Sequence, residues 1–226
     1  MQHLFEASSF APSIDHLITL VSALVAFWTV LTFIMFFWLL WRFRARPGVR
    51  TQYLEGHEPH VKRWITWPHV LVLACDVVVI VAAMRVWYEI KQFQPPADRE
   101  IRVIGQQWAW VFQYPGADGK FDTPDDFYTT DDLYVENDKV YHFQLRSRDV
   151  IHDFSVPDFR LKQDAMPGRT ITGWFKPTRV GSYDIQCSQI CGIGHGVMRG
   201  TIHVENAAQY QAWLASQQSP AVSSAQ

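Results

Sequence analysis

Apolar residues run almost unbroken through the first part of the chain and then give way to short alternating stretches. From Leu17 to Trp41 there are 25 residues without a formal charge, including AFWTVLTFIMFFWLLW. A bilayer-spanning helix needs about 20, so this run predicts a transmembrane helix over about residues 16–41. A secretory signal is the rival reading. Met1–His16 hold no Lys or Arg but do hold Glu6 and Asp15, and the run is too long for an h-region. A second run, Trp64–Met84, reads WITWPHVLVLACDVVVIVAAM. Asp76 interrupts it, yet its length and the flanking Trp64, Trp67, Trp87 and Tyr88 predict a second span over about 64–90. The two spans form an antiparallel hairpin. The linker 42–63 carries six Lys/Arg against two Glu, which places it in the cytoplasm and leaves both termini on the outer face. Asp76 has two readings, contact with a proton path in a partner subunit or a hydrogen-bonded carboxyl at a helix–helix interface. His69, seven residues earlier, lies on roughly the same face.

After Pro95-Pro96 the pattern changes period. IRVIGQQWAWVFQYP, LYVENDKVYHFQLRSRDVIHDFSVP, ITGWFKPTRVGSYDIQC and MRGTIHVEN alternate in part and are rich in aromatic and β-branched residues. Turn signals separate them, so residues 96–215 predict a β-sandwich or barrel. A short helix is expected at about 207–216 and a flexible tail at 216–226. The expected architecture is an α+β membrane protein: a helical hairpin in residues 1–95, then an all-β domain.

Charge sharpens this division. Residues 1–97 hold eight Lys/Arg and six Asp/Glu, while residues 98–226 hold twelve and sixteen. A net charge of −2 argues against nucleic acid as a partner. The segment 117–138 is acidic, with Asp118, Asp122, Asp125, Asp126, Asp131, Asp132, Glu136 and Asp138. It reads as a solvated loop, with electrostatic docking of a basic partner as the functional alternative. DGKFDTPDD is oxygen-rich enough for Ca²⁺ but lacks EF-hand spacing.

The strongest chemical signal is CSQICGIGHGVM, which spaces Cys187, Cys191, His195 and Met198 as C-x3-C-x3-H-x2-M. Two thiolates, an imidazole and a thioether form a soft ligand set that selects copper. A Cys187–Cys191 disulfide would close a short, strained loop. Structural zinc has no use for Met198. A Cys–His nucleophile needs neither a second Cys nor a Met, and redox-thiol motifs usually have two intervening residues where this loop has three. A mononuclear blue-copper site uses one Cys, so the extra thiolate fits two metals bridged by sulfur. The further imidazole is best supplied by His152 in DVIHDFSVP, at a strand end before Pro157. His142 and His203 sit in strand-like runs and read as packed or surface residues.

With these motifs the chain resembles subunit II of the haem–copper cytochrome c oxidases. The resemblance rests on the hairpin, GQQWAWVFQYP, DVIHDFSVPDFRLKQDAMPGR and the Cys loop. It implies a cupredoxin-like domain carrying the binuclear copper centre CuA. Cys187 and Cys191 would bridge both coppers, with His152, His195, Met198 and the backbone carbonyl of Gln189 as the other ligands. Trp108 matches the tryptophan through which cytochrome c delivers its electron. The electron then passes to a haem in subunit I, where oxygen is reduced. The implied setting is a bacterial inner membrane, with subunit I, other oxidase subunits, cytochrome c and membrane lipid as partners. No C-x-x-C-H occurs, so the donor haem belongs elsewhere.

Three departures from the family pattern stand out. Gln189 replaces a Glu that helps hold Mg²⁺ or Mn²⁺ against subunit I, and a neutral amide binds a hard cation more weakly. The Glu that serves a proton path before the second span falls at Val61, with Glu58 and His60 nearby. Asp153 follows His152, where a neutral residue is more common. Among competing functions, a quinol oxidase subunit lacks the ligand set, nitrous oxide reductase lacks the spans, and a copper chaperone would hold a looser site. A nitric oxide reductase subunit with the same centre is the remaining alternative.

Overall fold

The computed structural model describes residues 6–50 and 53–218. Two compact units divide the chain, one of residues 15–87 and the other of residues up to 14 together with 88 onward.

The first unit is built from α1 (Ala11–Arg42) and α2 (Pro59–Trp87), which begin earlier than the hydrophobic runs alone predict. Pro12 and Pro59 stand in the first helical turns, where a missing N–H leaves no hydrogen bond unmade. Both helices are long and apolar enough to cross a membrane. Phe27, Phe33, Ile34, Phe37, Leu71 and Leu73 are exposed on them, as side chains meant for lipid are. Trp38 stacks on Trp64 near the linker, while Trp28, Thr29 and Thr32 line one crevice with Val72, Cys75 and Asp76. These pairings make the helices antiparallel.

The second unit is a sandwich of two five-stranded sheets. One is ordered β3 (Phe127–Thr130), β2 (Ala109–Tyr114), β1 (Arg99–Gln106), β5 (Tyr141–Ser147), β8 (Ile171–Phe175). The other is ordered β4 (Asp132–Glu136), β10 (Arg199–Glu205), β9 (Gly181–Cys187), β6 (His152–Val156), β7 (Leu161–Ala165). Trp110, Phe112, Phe143, Phe154, Phe175 and Ile185 fill the space between them. Their rings meet mostly edge-to-face or tilted, as aromatic quadrupoles prefer. α3 (Ala207–Gln218) lays Trp213 on Tyr114 and Tyr134.

The domain boundary expected at residue 95 moves to 87–88, and residues 6–14 join the sandwich. The physical reason is backbone pairing and burial. Ala7 N–H donates to Asp158 O at 3.0 Å, Thr178 N–H donates to Ala7 O at 2.9 Å, and Phe10 packs edge-on against Trp174. Trp174 Nε1–H in turn donates to Ile90 O at 3.0 Å. Ser216–Gln218, assigned to the tail in the sequence reading, continue α3, and residues 219–226 lie outside the described residues.

Candidate metal centre

Register brings His152 and the Cys loop together. β6 and β9 are antiparallel neighbours with Phe154 opposite Cys187, so His152, two residues before Phe154, shares its face. The loop from Cys187 to Met198 is closed at its ends by Cys187 N–H donating to Met198 O at 3.2 Å. Inside it, His195 N–H donates to Gly192 O and Met198 N–H to Gly194 O, each at 3.1 Å.

All the side chains expected as ligands converge. The two Sγ atoms are 3.7 Å apart and unbonded. His152 Nδ1 is 4.0 Å from Cys187 Sγ, and His195 Nδ1 is 3.6 Å from Cys191 Sγ. Met198 Sδ is 3.8 Å from Cys191 Sγ, and the Gln189 carbonyl oxygen is 3.2 Å from Cys187 Sγ. The ligand atoms of His152, Cys187 and Cys191 lie within 4.8 Å of one another. His152, Cys191 and Met198 are buried. Burial, then the neighbouring Cys187, pushes the Cys191 thiol up to about 11. Two adjacent thiols in such a pocket ionise when a cation takes the place of their protons. The donor set therefore fits soft metal ions, and the separation of the sulfurs argues against a disulfide.

Surrounding groups hold these ligands in place. His152 Nε2–H donates to Asp149 Oδ1 at 2.8 Å, which leaves the Nδ1 lone pair facing the sulfurs. Burial tends to raise the Asp149 carboxyl. The hydrogen bonds from His152 and from the Gln107 and Val150 amides outweigh it and hold the carboxyl below its ordinary range. Gly105 and Trp110 press on the His152 ring, and a Cβ at Gly105 would come within 2.9 Å of it. Asp149 and Gln107 are functional residues that sequence reasoning missed. The spacing of Asp149 three residues before His152 was the available signal.

Trp108 sits at the β1–β2 turn, partly exposed, with its indole N–H 3.3 Å from the Cys191 carbonyl. Gln107 Nε2 donates to the same oxygen at 2.8 Å. A Cβ at Gly194 would fall 2.4 Å from the Trp108 ring, and one at Gly192 2.9 Å from Gln107 Nε2. Gly192 also has a φ of +121°, so this loop follows a path that side chains would block.

The remaining candidates lie elsewhere. His142 Nε2 bonds Pro95 O, and His203 Nε2 pairs with Asp132 at 2.9 Å. Asp153 points to the opposite face of β6 from His152 and stands across from Asp164 of β7. Burial and the hydrogen bond to Asp164 push its carboxyl up to about 6. The acidic loop folds around Arg102, whose Nη1 donates to Asp122 Oδ1 at 2.7 Å and to Gln113 Oε1 at 2.8 Å. Asp126 accepts from Gln113 Nε2 and from the Asp122 amide. This cluster follows β2, whereas Trp108 precedes it, so six strand residues, about 20 Å, separate them. The geometry gives Asp122 and Asp126 a structural role around Arg102, while Asp131 of the same acidic segment stands at the other end of β2, its carboxylate accepting from the Trp110 amide at 2.8 Å.

Comparisons with known proteins identify the family. The family described as "Cytochrome C oxidase subunit II, periplasmic domain" matches residues 99–206. The alternative cytochrome c oxidase subunit 2 of Bradyrhizobium diazoefficiens is 32% identical over 221 residues, covering 85% of this chain and 78% of that one. Cytochrome c oxidase subunit 2 of Cereibacter sphaeroides is 27% identical over 238 residues, covering 92% and 77%. The crystallised periplasmic domain of subunit II of cytochrome oxidase (CoxB) of Bradyrhizobium japonicum is 33% identical. That match covers 55% of this chain and 96% of the other, with a TM-score of 0.49.

Proposed function

This chain belongs to the cytochrome c oxidase subunit II family, and on that premise we propose that His152 and the loop 187–198 hold the binuclear copper centre through which electrons enter the oxidase. As subunit II it works beside the other subunits of a haem–copper terminal oxidase, an oxidoreductase complex.

One observation carries the proposal. Five side chains and the Gln189 carbonyl meet at one site with two thiols 3.7 Å apart. Cys187, Cys191, His152, His195, Met198 and the Gln189 carbonyl would hold the two metal ions, with the Nδ1 atoms of both imidazoles on the side of the sulfurs. Two copper ions held there would supply one-electron transfer from a c-type cytochrome toward haem in subunit I. The chain's own residues make that frame rigid. Asp149 fixes the His152 tautomer, and Gln107 and Trp108 grip the Cys191 carbonyl. The pocket excludes water from the sulfurs. Trp108 offers an indole face between solvent and Cys191, which supports its role as the point of electron entry. The nitric oxide reductase alternative is not favoured by these relatives, which are oxidase subunits.

The setting proposed is a bacterial inner membrane, with the spans in lipid, linker 42–63 cytoplasmic and the copper domain periplasmic. Electron paramagnetic resonance on the purified complex, with copper counted per chain, tests the site. The expected result is two coppers and a hyperfine pattern from one electron shared by two nuclei. A mononuclear pattern, or zinc in place of copper, overturns it.

A further inference from the structure

The two spans carry polar groups at a depth where lipid offers them nothing. From Trp67 to Trp87, α2 rises about 30 Å at about 1.5 Å per residue, which is the thickness of the hydrocarbon layer. Asp76 stands near the middle of that stretch and is exposed. No cation of the chain lies at its level. α1 holds no Lys or Arg before its last residue, Arg42, and α2 holds none between Arg63 and Arg85. Among the described residues Asp76 has no hydrogen-bond or ion-pair partner. An ionisable side chain so placed faces water or another protein rather than lipid.

Its surroundings are polar on both sides. Asp76 lines one crevice of about 510 Å³ with Trp28, Thr29, Thr32, Val72 and Cys75. Trp28 Nε1–H is buried without a hydrogen-bond partner. Asp76 and Val72 also line a second crevice of about 510 Å³, with Pro68, His69 and Leu73. His69 Nδ1–H donates to Ile65 O at 2.7 Å, which fixes the tautomer and leaves the Nε2 lone pair free to take a proton. Pro68 has no N–H, so the Trp64 carbonyl lacks its helical donor on the linker side of His69. His69 and Asp76 share one helical face, about 10 Å apart along the axis. An anchoring ion pair would need Asp76 alone. The further imidazole, hydroxyls and bare carbonyl exchange or accept protons without fixed charge, and they are strung along a line rather than gathered around one point as ligands of a hard cation are. Besides His69 and Asp76, Cys75 is the one titratable group lining the two crevices.

We propose that His69 and Asp76 form one wall of a proton track that leads from the linker side of the membrane to its mid-depth, and that a transmembrane helix of a neighbouring oxidase subunit supplies the other wall and the acceptor. This rests on the oxidase reading and on the cytoplasmic placement of linker 42–63. The track begins about two turns beyond Val61, inside the span itself. A proton leaves a cytoplasmic hydronium and forms an N–H bond at His69 Nε2. It passes through water in the crevices, each roomy enough for several molecules, and forms an O–H bond at Asp76. Asp76 returns to carboxylate as the proton moves to the acceptor across the interface. One proton and no electron is transferred, and both carriers end as they began. Oxygen reduction consumes protons and so draws on the track.

The test uses the purified oxidase complex in phosphatidylcholine vesicles, with subunit content and copper signal measured for every variant. Asp76→Asn keeps the side chain's shape, removes its titration and takes a charge out of the hydrocarbon. Turnover should fall about tenfold or more, as loss of a positioned proton carrier does. Proton uptake from the linker side, followed with a pH dye, should slow by the same factor. Electron transfer from the copper centre into haem, followed in a flash-triggered single turnover, should keep its rate, a split that a merely structural role would not produce. Asp76→Glu should restore most of the turnover, and His69→Phe should slow proton uptake severalfold. An Asp76→Asn complex with unmodified turnover overturns the proposal. So does one that has lost a subunit, since Asp76 is then an assembly contact, or one in which electron transfer into haem slows equally. Absence of the paired copper signal from the unmodified complex, or cleavage of linker 42–63 by protease at the periplasmic face, refutes the underlying readings instead, and both are seen without any variant.

Discussion

The two ends of strand β2 make opposite use of their residues. Beyond its C-terminal end, the segment 115–126 is dense in carboxylates, and these accept hydrogen bonds from Arg102, Gln113 and the loop's own groups at the surface. Before its N-terminal end, Trp108 leans on a loop without formal charge, and that loop carries the soft donors and the exposed apolar side chains. A buried guanidinium has to be paired and hydrogen-bonded, and the acidic loop is what pairs it. The metal loop has the reverse requirement. Its thiols are buried, while Ile190, Ile193 and Val197 on its rim stand exposed. Charge density therefore marks scaffolding at one end, and the absence of charge marks the chemistry at the other.

The comparison breaks most sharply if the sulfurs are removed. Cys187→Ser or Cys191→Ser should abolish the paired copper signal and lower donor-driven turnover by more than about 100-fold. That exceeds the 10–100-fold usual for groups one shell out. Persistence of the two-copper pattern in either variant would mean that the thiols do not bridge. Next in size is Asp149→Ala, which removes the acceptor of His152 Nε2–H and leaves the Gln107 amide unpaired. Copper affinity should fall about 10–100-fold in a chelator competition, with the signal shape preserved at saturating copper. An unchanged affinity would show that Gly105 and Trp110 alone hold the imidazole.

Much of this is legible in the sequence. The spans follow from charge-free length, and the soft ligand set follows from the spacing of Cys187, Cys191, His195 and Met198. His152 was reachable because a strand end before a proline is a plausible place for a ligand. Asp149 was not singled out, because its role depends on the turn that carries its carboxylate back to Nε2 and onto the Gln107 amide. The contact of the acidic loop with Arg102 was out of reach for a related reason. Composition shows how many carboxylates a segment has but not that Arg102, in the strand run REIRVIGQ, is buried and needs them. Residues 6–14 were grouped with the hairpin because backbone pairing of so short a segment leaves no periodic trace.

A smaller change sharpens the contrast from the metal side. Gly194→Ala puts a Cβ where the Trp108 ring now lies, 2.4 Å away. The ring must shift, at a stability cost of about 1–3 kcal/mol for overpacking. Donor oxidation should slow severalfold while the copper content stays constant. Full donor activity with a displaced indole would remove Trp108 from the entry route. Gly196→Ala is the matched control, because a Cβ there meets nothing within 4 Å.

The smallest effect on function is expected at the acidic end. Asp122 is held below the ordinary carboxylate range by its hydrogen bonds to Arg102 and Gln113. A carboxyl whose folded value is depressed adds stability at pH above its unfolded value, near 4, and that contribution disappears as pH falls through the folded value. The melting temperature of the complex's copper domain should therefore drop as pH is lowered below about 4. In Asp122→Asn the Asp122 part of that drop should be absent, and stability at neutral pH should be lower throughout. Donor KM and its salt dependence should not move, because the loop stands about a strand's length from Trp108. If neutralising Asp122, Asp125 and Asp126 together raised donor KM and flattened its salt dependence, the acidic end would belong to the docking surface. The division between a charged scaffold and an uncharged reactive loop would then fail.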